Sequence, residues 1–160
     1  MPGYFLDTSA LAKLYHQEAG SQYLEWALAQ PGLLVVVSRL SLVEIESVMA
    51  IKVRIGELDV ASQELFRRRF RADISQQRIV LGPQIDERHY RSARRLLLRH
   101  GVAMALRTLD AIQLSVALDL HEAGLISLLV AADQKLCRVA ETCGCPTLNP
   151  IDPEIVLPGN

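Results

Sequence analysis

The sequence predicts an α/β protein, with a mostly parallel central sheet of four or five strands covered on both faces by helices. Three observations predict it. Short apolar runs such as Leu33–Val37 and Leu128–Ala131 alternate with longer stretches of helical period. The runs are continuously apolar, as strands buried on both faces are. Strand and helix follow each other in turn along the chain, as parallel pairing through crossover helices requires.

Tyr4-Phe5-Leu6 reads as the first strand, and Asp7-Thr8-Ser9 offers capping residues ahead of Ala10-Leu11-Ala12-Lys13-Leu14. Gly20-Ser21 restarts a second helix carrying Tyr23, Leu24, Trp26, Ala27 and Leu28, and Pro31-Gly32 stops it. Leu33 to Val37 is the second strand. Ser38 to Ser41 is read as a turn and cap, after which Leu42, Ile45, Val48, Met49 and Lys52 mark a helix to about Ile55, before Gly56. That helix is apolar almost all round and is expected to be buried or to lie at an interface. Asp59 is placed to cap a further helix through Arg71, and Ile79-Val80-Leu81 is a short strand ended by Gly82-Pro83. Asp86 to His100 is helical by period, with Tyr90, Ala93 and Leu97 on one face and Arg88, Arg91, Arg95 and Arg99 on another. Gly101 ends it, and Thr108 is the expected N-cap of the next helix, which runs through Asp110, Ile112, Leu114, Ala117 and Leu118 to Gly124. Leu128 to Ala131 is another buried strand, with Asp133 immediately after it. A helix up to Cys143 and a last strand around Cys145 to Leu148 follow. The expected organisation is one domain over residues 1–150 with a short Pro-rich tail, 151–160.

Half of the 160 residues are hydrophobic, which excludes a disordered chain. No apolar run approaches the length of about 18 residues that spans a bilayer. The N-terminus also lacks a charged region ahead of a hydrophobic one. The expectation is a cytoplasmic protein with no membrane partner. Cys137, Cys143 and Cys145 are odd in number, and the last two are too close for an ordinary bridge, so no disulfide framework is expected. Nor do Cys143 and Cys145 have a second pair or a nearby His to complete tetrahedral zinc ligation.

The formal net charge of −1 conceals an uneven distribution. Between Arg67 and Arg107 eleven arginines face only Asp73, Asp86 and Glu87, a balance of +8, while the remainder holds six Lys or Arg and fifteen Asp or Glu, a balance of −9. This becomes a surface field if folding keeps the two sets apart; otherwise the arginines are solvated faces with mixed ion pairs.

Four separated acids carry the candidate chemistry: Asp7, Glu44, Asp110 and Asp133. In open parallel sheets ligands collect outside the carboxyl ends of the strands, where Asp7 and Asp133 are placed. Asp110, in the first turn of its helix, and Glu44, one turn into the third, can reach the same rim if their helices begin there. Taken singly, Asp110 suits a helix dipole and Asp133 a cap. Together they are costly: at about 5 Å separation each of six pairs repels by roughly 3 kcal/mol at an effective dielectric near 20. That sum is on the order of a whole domain's stability, roughly 5 to 15 kcal/mol. The acids are therefore apart, partly protonated, or gathered around a cation. An oxygen-only set suits a hard ion, Mg²⁺ or Mn²⁺, whose chemical use is hydrolytic phosphodiester cleavage.

The strings Tyr4-Phe5-Leu6-Asp7-Thr8-Ser9-Ala10-Leu11-Ala12-Lys13-Leu14-Tyr15, Ser41-Leu42-Val43-Glu44-Ile45, Leu106-Arg107-Thr108-Leu109-Asp110-Ala111-Ile112-Gln113-Leu114 and Val130-Ala131-Ala132-Asp133 together resemble the PIN-domain family, especially VapC-type toxins. The resemblance implies a three-layer α/β/α sandwich and a metal-dependent endoribonuclease of a toxin and antitoxin pair. By it, Asp7, Glu44, Asp110 and Asp133 match the acidic quartet that holds Mg²⁺ or Mn²⁺, with Asp7 and Asp110 as direct ligands. Thr8 or Ser9 matches the hydroxyl beside the first Asp. Gln113 stands where relatives often carry His, and Ala131 where they often carry Thr or Ser. The family further implies an RNA substrate, a cognate antitoxin that holds the toxin inactive, and a homodimer. Arg91, Arg95 and Arg107 are the candidate RNA-binding residues, since Arg binds phosphate through paired hydrogen bonds.

Three rival readings compete. A haloacid dehalogenase phosphatase also begins with a strand ending in Asp, but needs a second Asp where Ser9 stands, so its general acid is missing. A PIN ribonuclease for RNA processing without antitoxin, and a catalytically silent PIN module that binds RNA or protein, share the same strings. No Ser or Cys nucleophile pairs with His16, His89, His100 or His121, and no phosphate-cradling Gly loop is present.

Overall fold

A computed structural model describes residues 3–152. Strands β1 (Gly3–Leu6), β2 (Val35–Val37), β3 (Val80–Leu81), β4 (Ile126–Val130) and β5 (Thr147–Leu148) form one sheet in the order β3-β2-β1-β4-β5. Every pairing is parallel. The helices are α1 (Thr8–Leu11), α2 (Ser21–Leu28), α3 (Ser41–Arg54), α4 (Val60–Ser75), α5 (Glu87–His100), α6 (Thr108–Glu122) and α7 (Gln134–Thr142). The Pro-rich tail lies outside the described residues, except for Ile151 and Asp152.

Successive strand residues point to opposite sides of a sheet, and β1 shows the result. Tyr4 and Leu6 enter a core with Leu11, Leu24, Ile45, Met49 and Phe66 from α1 to α4. Phe5 enters a second core with Ala93, Leu114, Leu136 and Val139 from α5 to α7. The sheet is therefore the middle of three layers. At its entry Gly3 is required, because a Cβ there would lie 2.9 Å from the Leu34 carbonyl oxygen and 3.0 Å from that of Leu125.

The chain leaves β1 toward β2 and β3 on one side, then returns to lay β4 and β5 on the other. The order reverses at β1, and the crevice between the carboxyl ends of β1 and β4 is the switch point where open sheets take ligands. Among the described residues no helix is long and apolar enough to cross a membrane, and all three cysteines are free.

Four local expectations are corrected. Of the two expectations for α3, burial all round is corrected: it buries one stripe, Ser41, Ile45 and Met49, and leaves Leu42, Val43 and Ile51 exposed, because a helix on an outer layer meets its neighbours on one side only. The inward face of α5 is His89, Ala93 and Leu96, while Tyr90 is about half exposed. Burying His89 is feasible because both ring nitrogens have partners: the Asp86 amide lies 3.1 Å from Nδ1 and Asp119 Oδ2 3.3 Å from Nε2. Thr108 is the first helical residue of α6, with Arg107 in the cap position. Ser38 and Ser41 do not cap α3, whose N-terminus has no side-chain cap; their hydroxyls turn into the site instead.

Candidate active site

The end of β1 delivers Asp7 in an extended conformation as the N-cap of α1. Its Oδ2 accepts from the Ser9 hydroxyl at 2.6 Å and the Ser9 amide at 3.3 Å. The Ser9 hydroxyl in turn accepts from the Ala132 amide at 3.0 Å. One hydroxyl thus ties the start of α1 to the loop after β4, across the switch point. Asp133, beyond β4, caps α7 by accepting from the Lys135 and Leu136 amides at 2.9 and 3.2 Å. Asp110 lies in the first turn of α6 and accepts from the Arg107 guanidinium at 3.3 Å.

Glu44, in the first turn of α3, is held from two sides. Its Oε1 accepts from Gln113 Nε2 at 2.6 Å and from the Thr8 hydroxyl at 3.1 Å. Gln113, from α6, is only 1% exposed. Its Nε2 also lies 3.0 Å from Ser41 Oγ and 3.1 Å from Thr8 Oγ1, and its Oε1 accepts from Ser38 Oγ at 2.7 Å. The amide joins α1, the β2–α3 connection, α3 and α6.

Asp7 lies in the fields of Glu44 and Asp110, and Asp110 in that of Asp133. Burial pushes the Asp7 carboxyl up from 3.8 to about 6; the Ser9 hydroxyl pulls it down, Glu44 pushes it up, and the Ser9 amide and Asp110 add smaller opposing effects. Asp110 is also raised, by burial first, with Arg107 opposing and Asp133 reinforcing the change. Asp7 is buried against hydroxyl and amide donors, and the other three acids each take a donor of their own. Among the described residues no three His, Cys, Asp or Glu side chains converge closely enough to hold a metal ion as they stand.

A cleft of about 730 Å³ opens over Asp110 and Asp133, walled by Ala105, Leu106, Arg107, Lys135 and Leu136. Asp7 and Glu44 do not line it. The arginines proposed from sequence divide: Arg107 is at the cleft, whereas Arg91 and Arg95 are exposed on α5, where Arg95 shares a groove with Arg99, His100 and Thr142. The basic segment is only partly neutralised. Arg67, Arg78, Arg88 and Arg107 have acidic partners, while Arg91, Arg94, Arg95 and Arg99 have none among the described residues. Sequence reasoning missed Ser38, the Ala132 amide and Lys135. No local signal marks them, since each acquires its place through contacts made by distant parts of the chain.

A family model described as PIN domain matches residues 4–142. The chain belongs to the PIN-domain family. The five-stranded parallel sheet between helical layers is the fold of that family, and it is a nuclease-type fold. Among solved structures, this PIN domain is similar to PAE2754 from Pyrobaculum aerophilum, at 20% identity over 91% of this chain and 83% of that one, with a TM-score of 0.53. It is also similar to FitAcB from Neisseria gonorrhoeae, at 14% identity over 92% and 97% of the two chains, with a TM-score of 0.63. At such identities the likeness is one of fold. Comparison with curated proteins finds no match.

Proposed function

We propose that this PIN domain is a Mg²⁺- or Mn²⁺-dependent endoribonuclease and the toxin of a type II, VapBC-like pair. One observation supports the reading: Asp7 is buried at the end of β1 with Glu44 and Asp110 near enough to raise its carboxyl, and Asp110 shares a cleft with Asp133. An all-oxygen donor set of this kind fits a hard divalent cation. Asp7 and Asp110 would be direct ligands, with Glu44 and Asp133 completing the site. Asp110 can be recruited at little cost, because its partner Arg107 is exposed and an exposed ion pair contributes only about 0 to 1 kcal/mol. When bound, the cation would activate a water and offset charge developing on the phosphodiester.

The remaining roles fall to the chain itself. The Ser9 hydroxyl orients Asp7, and Thr8 and Gln113 orient Glu44. Arg107 and Lys135 flank the cleft, where they would meet phosphates on either side of the scissile bond. Arg91 and Arg95, free of acidic partners, would bind RNA backbone farther out. The toxin assignment rests on the VapC-like strings of the sequence, and with it come a cytoplasmic location, a cognate antitoxin and a homodimer. The exposed face of α3 supplies apolar surface for such contacts.

The deciding experiment is cleavage of a structured RNA pool by purified, antitoxin-free protein with Mg²⁺, Mn²⁺ or EDTA, beside Asp7→Asn and Asp110→Asn. Metal-dependent cutting that both variants lose is the expected result. Folded, metal-bound wild type that cuts nothing would favour a narrow-substrate toxin or the silent binding module. Light scattering at micromolar concentration tests the dimer, which a monomer with or without antitoxin would refute.

A further inference from the structure

We propose that the groove between the second half of α5 and the end of α7 is a phosphate site, in which Arg95 and Arg99 clamp a nucleotide phosphate away from the cleft. The site would serve the nuclease reading above by holding substrate, yet it stands or falls separately from the cleavage chemistry.

Arg88, Ser92, Arg95 and Arg99 recur at three- and four-residue steps along α5 and so share one side of it. Two hollows adjoin on that side, both lined by Ser92, Arg95 and Leu118. In the first, α6 brings Asp119 and Glu122, and Arg88 lies 3.7 Å from Asp119. In the second, of about 460 Å³, the facing wall is Leu118 with Thr142 and Cys143 from the end of α7, and no acid lines it. The same stripe is therefore neutralised at one end and bare at the other.

The bare end is costly to the helix alone, because Arg95 repels Arg91 and Arg99, each four residues away. The dipole of α5 accounts for Arg99 and His100 in its last turn but not for Arg95, a turn earlier. At the end of α7 the carbonyls of Val139, Ala140 and Glu141 are taken by the amides of Cys143, Gly144 and Cys145, so they are not left to pair with the arginines. A phosphate suits the two planar guanidiniums, and the apolar floor of Leu96 and Leu118 suits the sugar or base that carries it. The first turn of α7 walls the cleft and its end walls this groove. The two sites are thus separated by nine helical residues, roughly 14 Å.

The test uses the full chain carrying Asp7→Asn, in EDTA, and reads the binding of a fluorescent RNA oligonucleotide by anisotropy. Two double variants remove equal charge from one helix: Arg95→Gln with Arg99→Gln in the groove, and Arg91→Gln with Arg94→Gln, which line neither hollow. Gln matches Arg in helix propensity, and thermal melts establish folding. The groove pair is expected to weaken RNA about tenfold more than the outer pair, as lost charge-assisted hydrogen bonds do and a diffuse field does not. Bound RNA is also expected to slow alkylation by iodoacetamide of Cys143, the exposed thiol on the groove wall; Cys137 and Cys145 are buried. Millimolar 5′-AMP distinguishes the sources of the phosphate. A rise in Tm that the groove pair abolishes assigns the site to a free nucleotide, and an RNA-specific loss without that rise assigns it to a strand. Equal losses from the two pairs, an unchanged alkylation rate with RNA bound, or failure of both probes to bind overturns the inference. None of these results bears on the cation reading, which the cleavage experiment decides.

Discussion

Asp7→Asn should make the metal-free protein more stable while abolishing its cation binding. Asp7 is buried and its carboxyl titrates at about 6 in the fold against an ordinary 3.8. Each pH unit of that interval corresponds to about 1.4 kcal/mol, so keeping Asp7 ionised at pH 8 costs the fold about 3 kcal/mol. The sign follows from proton counting. Between 3.8 and about 6 the folded state binds more protons than the unfolded chain, so stability falls as pH rises through this window and is flat above it. Asn keeps an acceptor for the Ser9 hydroxyl and removes the charge, but its amide hydrogens lack an obvious partner, which offsets about 1 kcal/mol. The net gain at pH 8 is about 2 kcal/mol, or a rise in Tm of roughly 4 to 8 °C for a chain of this size. Thermal melts in EDTA from pH 4 to 8 read it directly. A variant no more stable than wild type at pH 8, or one whose advantage is as large at pH 4, would refute the argument that burial and neighbouring acids make an ionised Asp7 costly. Added Mn²⁺ should raise the Tm of wild type and leave that of the variant unchanged.

Three further outcomes are expected. Ser9→Ala removes a 2.6 Å bond to an ionised carboxylate and should destabilise the fold by about 1.5 to 3 kcal/mol; it should also move the Asp7 carboxyl still higher, as NMR titration would show. Asp133→Ala should lose both the α7 cap, about 1 kcal/mol in urea unfolding without metal, and Mn²⁺ affinity, whereas Asp133→Ser should keep most of the stability and lose only the affinity. Arg91→Glu with Arg95→Glu should weaken RNA binding and lower the log–log salt slope by about 1 for each arginine–phosphate pair removed; fluorescence anisotropy on the Asp7→Asn background measures this without cleavage, and an unchanged slope would assign the α5 arginines to a solvated face.

Features that depend on a few adjacent residues could be read directly from the chain. Asp7, Asp59 and Asp133 cap α1, α4 and α7, as expected, because capping is settled within three or four positions. The strands were legible because they are apolar on both faces, and Asp7 and Asp133 at their ends could be assigned to one rim from the alternation of strand and helix alone. Other features were settled only when distant segments packed together. The period of α5 allowed either Tyr90 or His89 to face inward, and the choice fell to His89 because Asp86 and Asp119 satisfy its ring. Ser38 and Ser41 suited a cap equally well, but their hydroxyls face Gln113, which arrives from α6 more than seventy residues later. The arginines that formed one basic segment separated into a cleft residue, Arg107, and an exposed stripe on α5, since helices carry neighbouring residues to different faces. The polar network around Glu44 has no sequence signal for the same physical reason: a buried hydrogen bond is specified by where two distant backbones come to rest, and that position is set by the packing of the whole core.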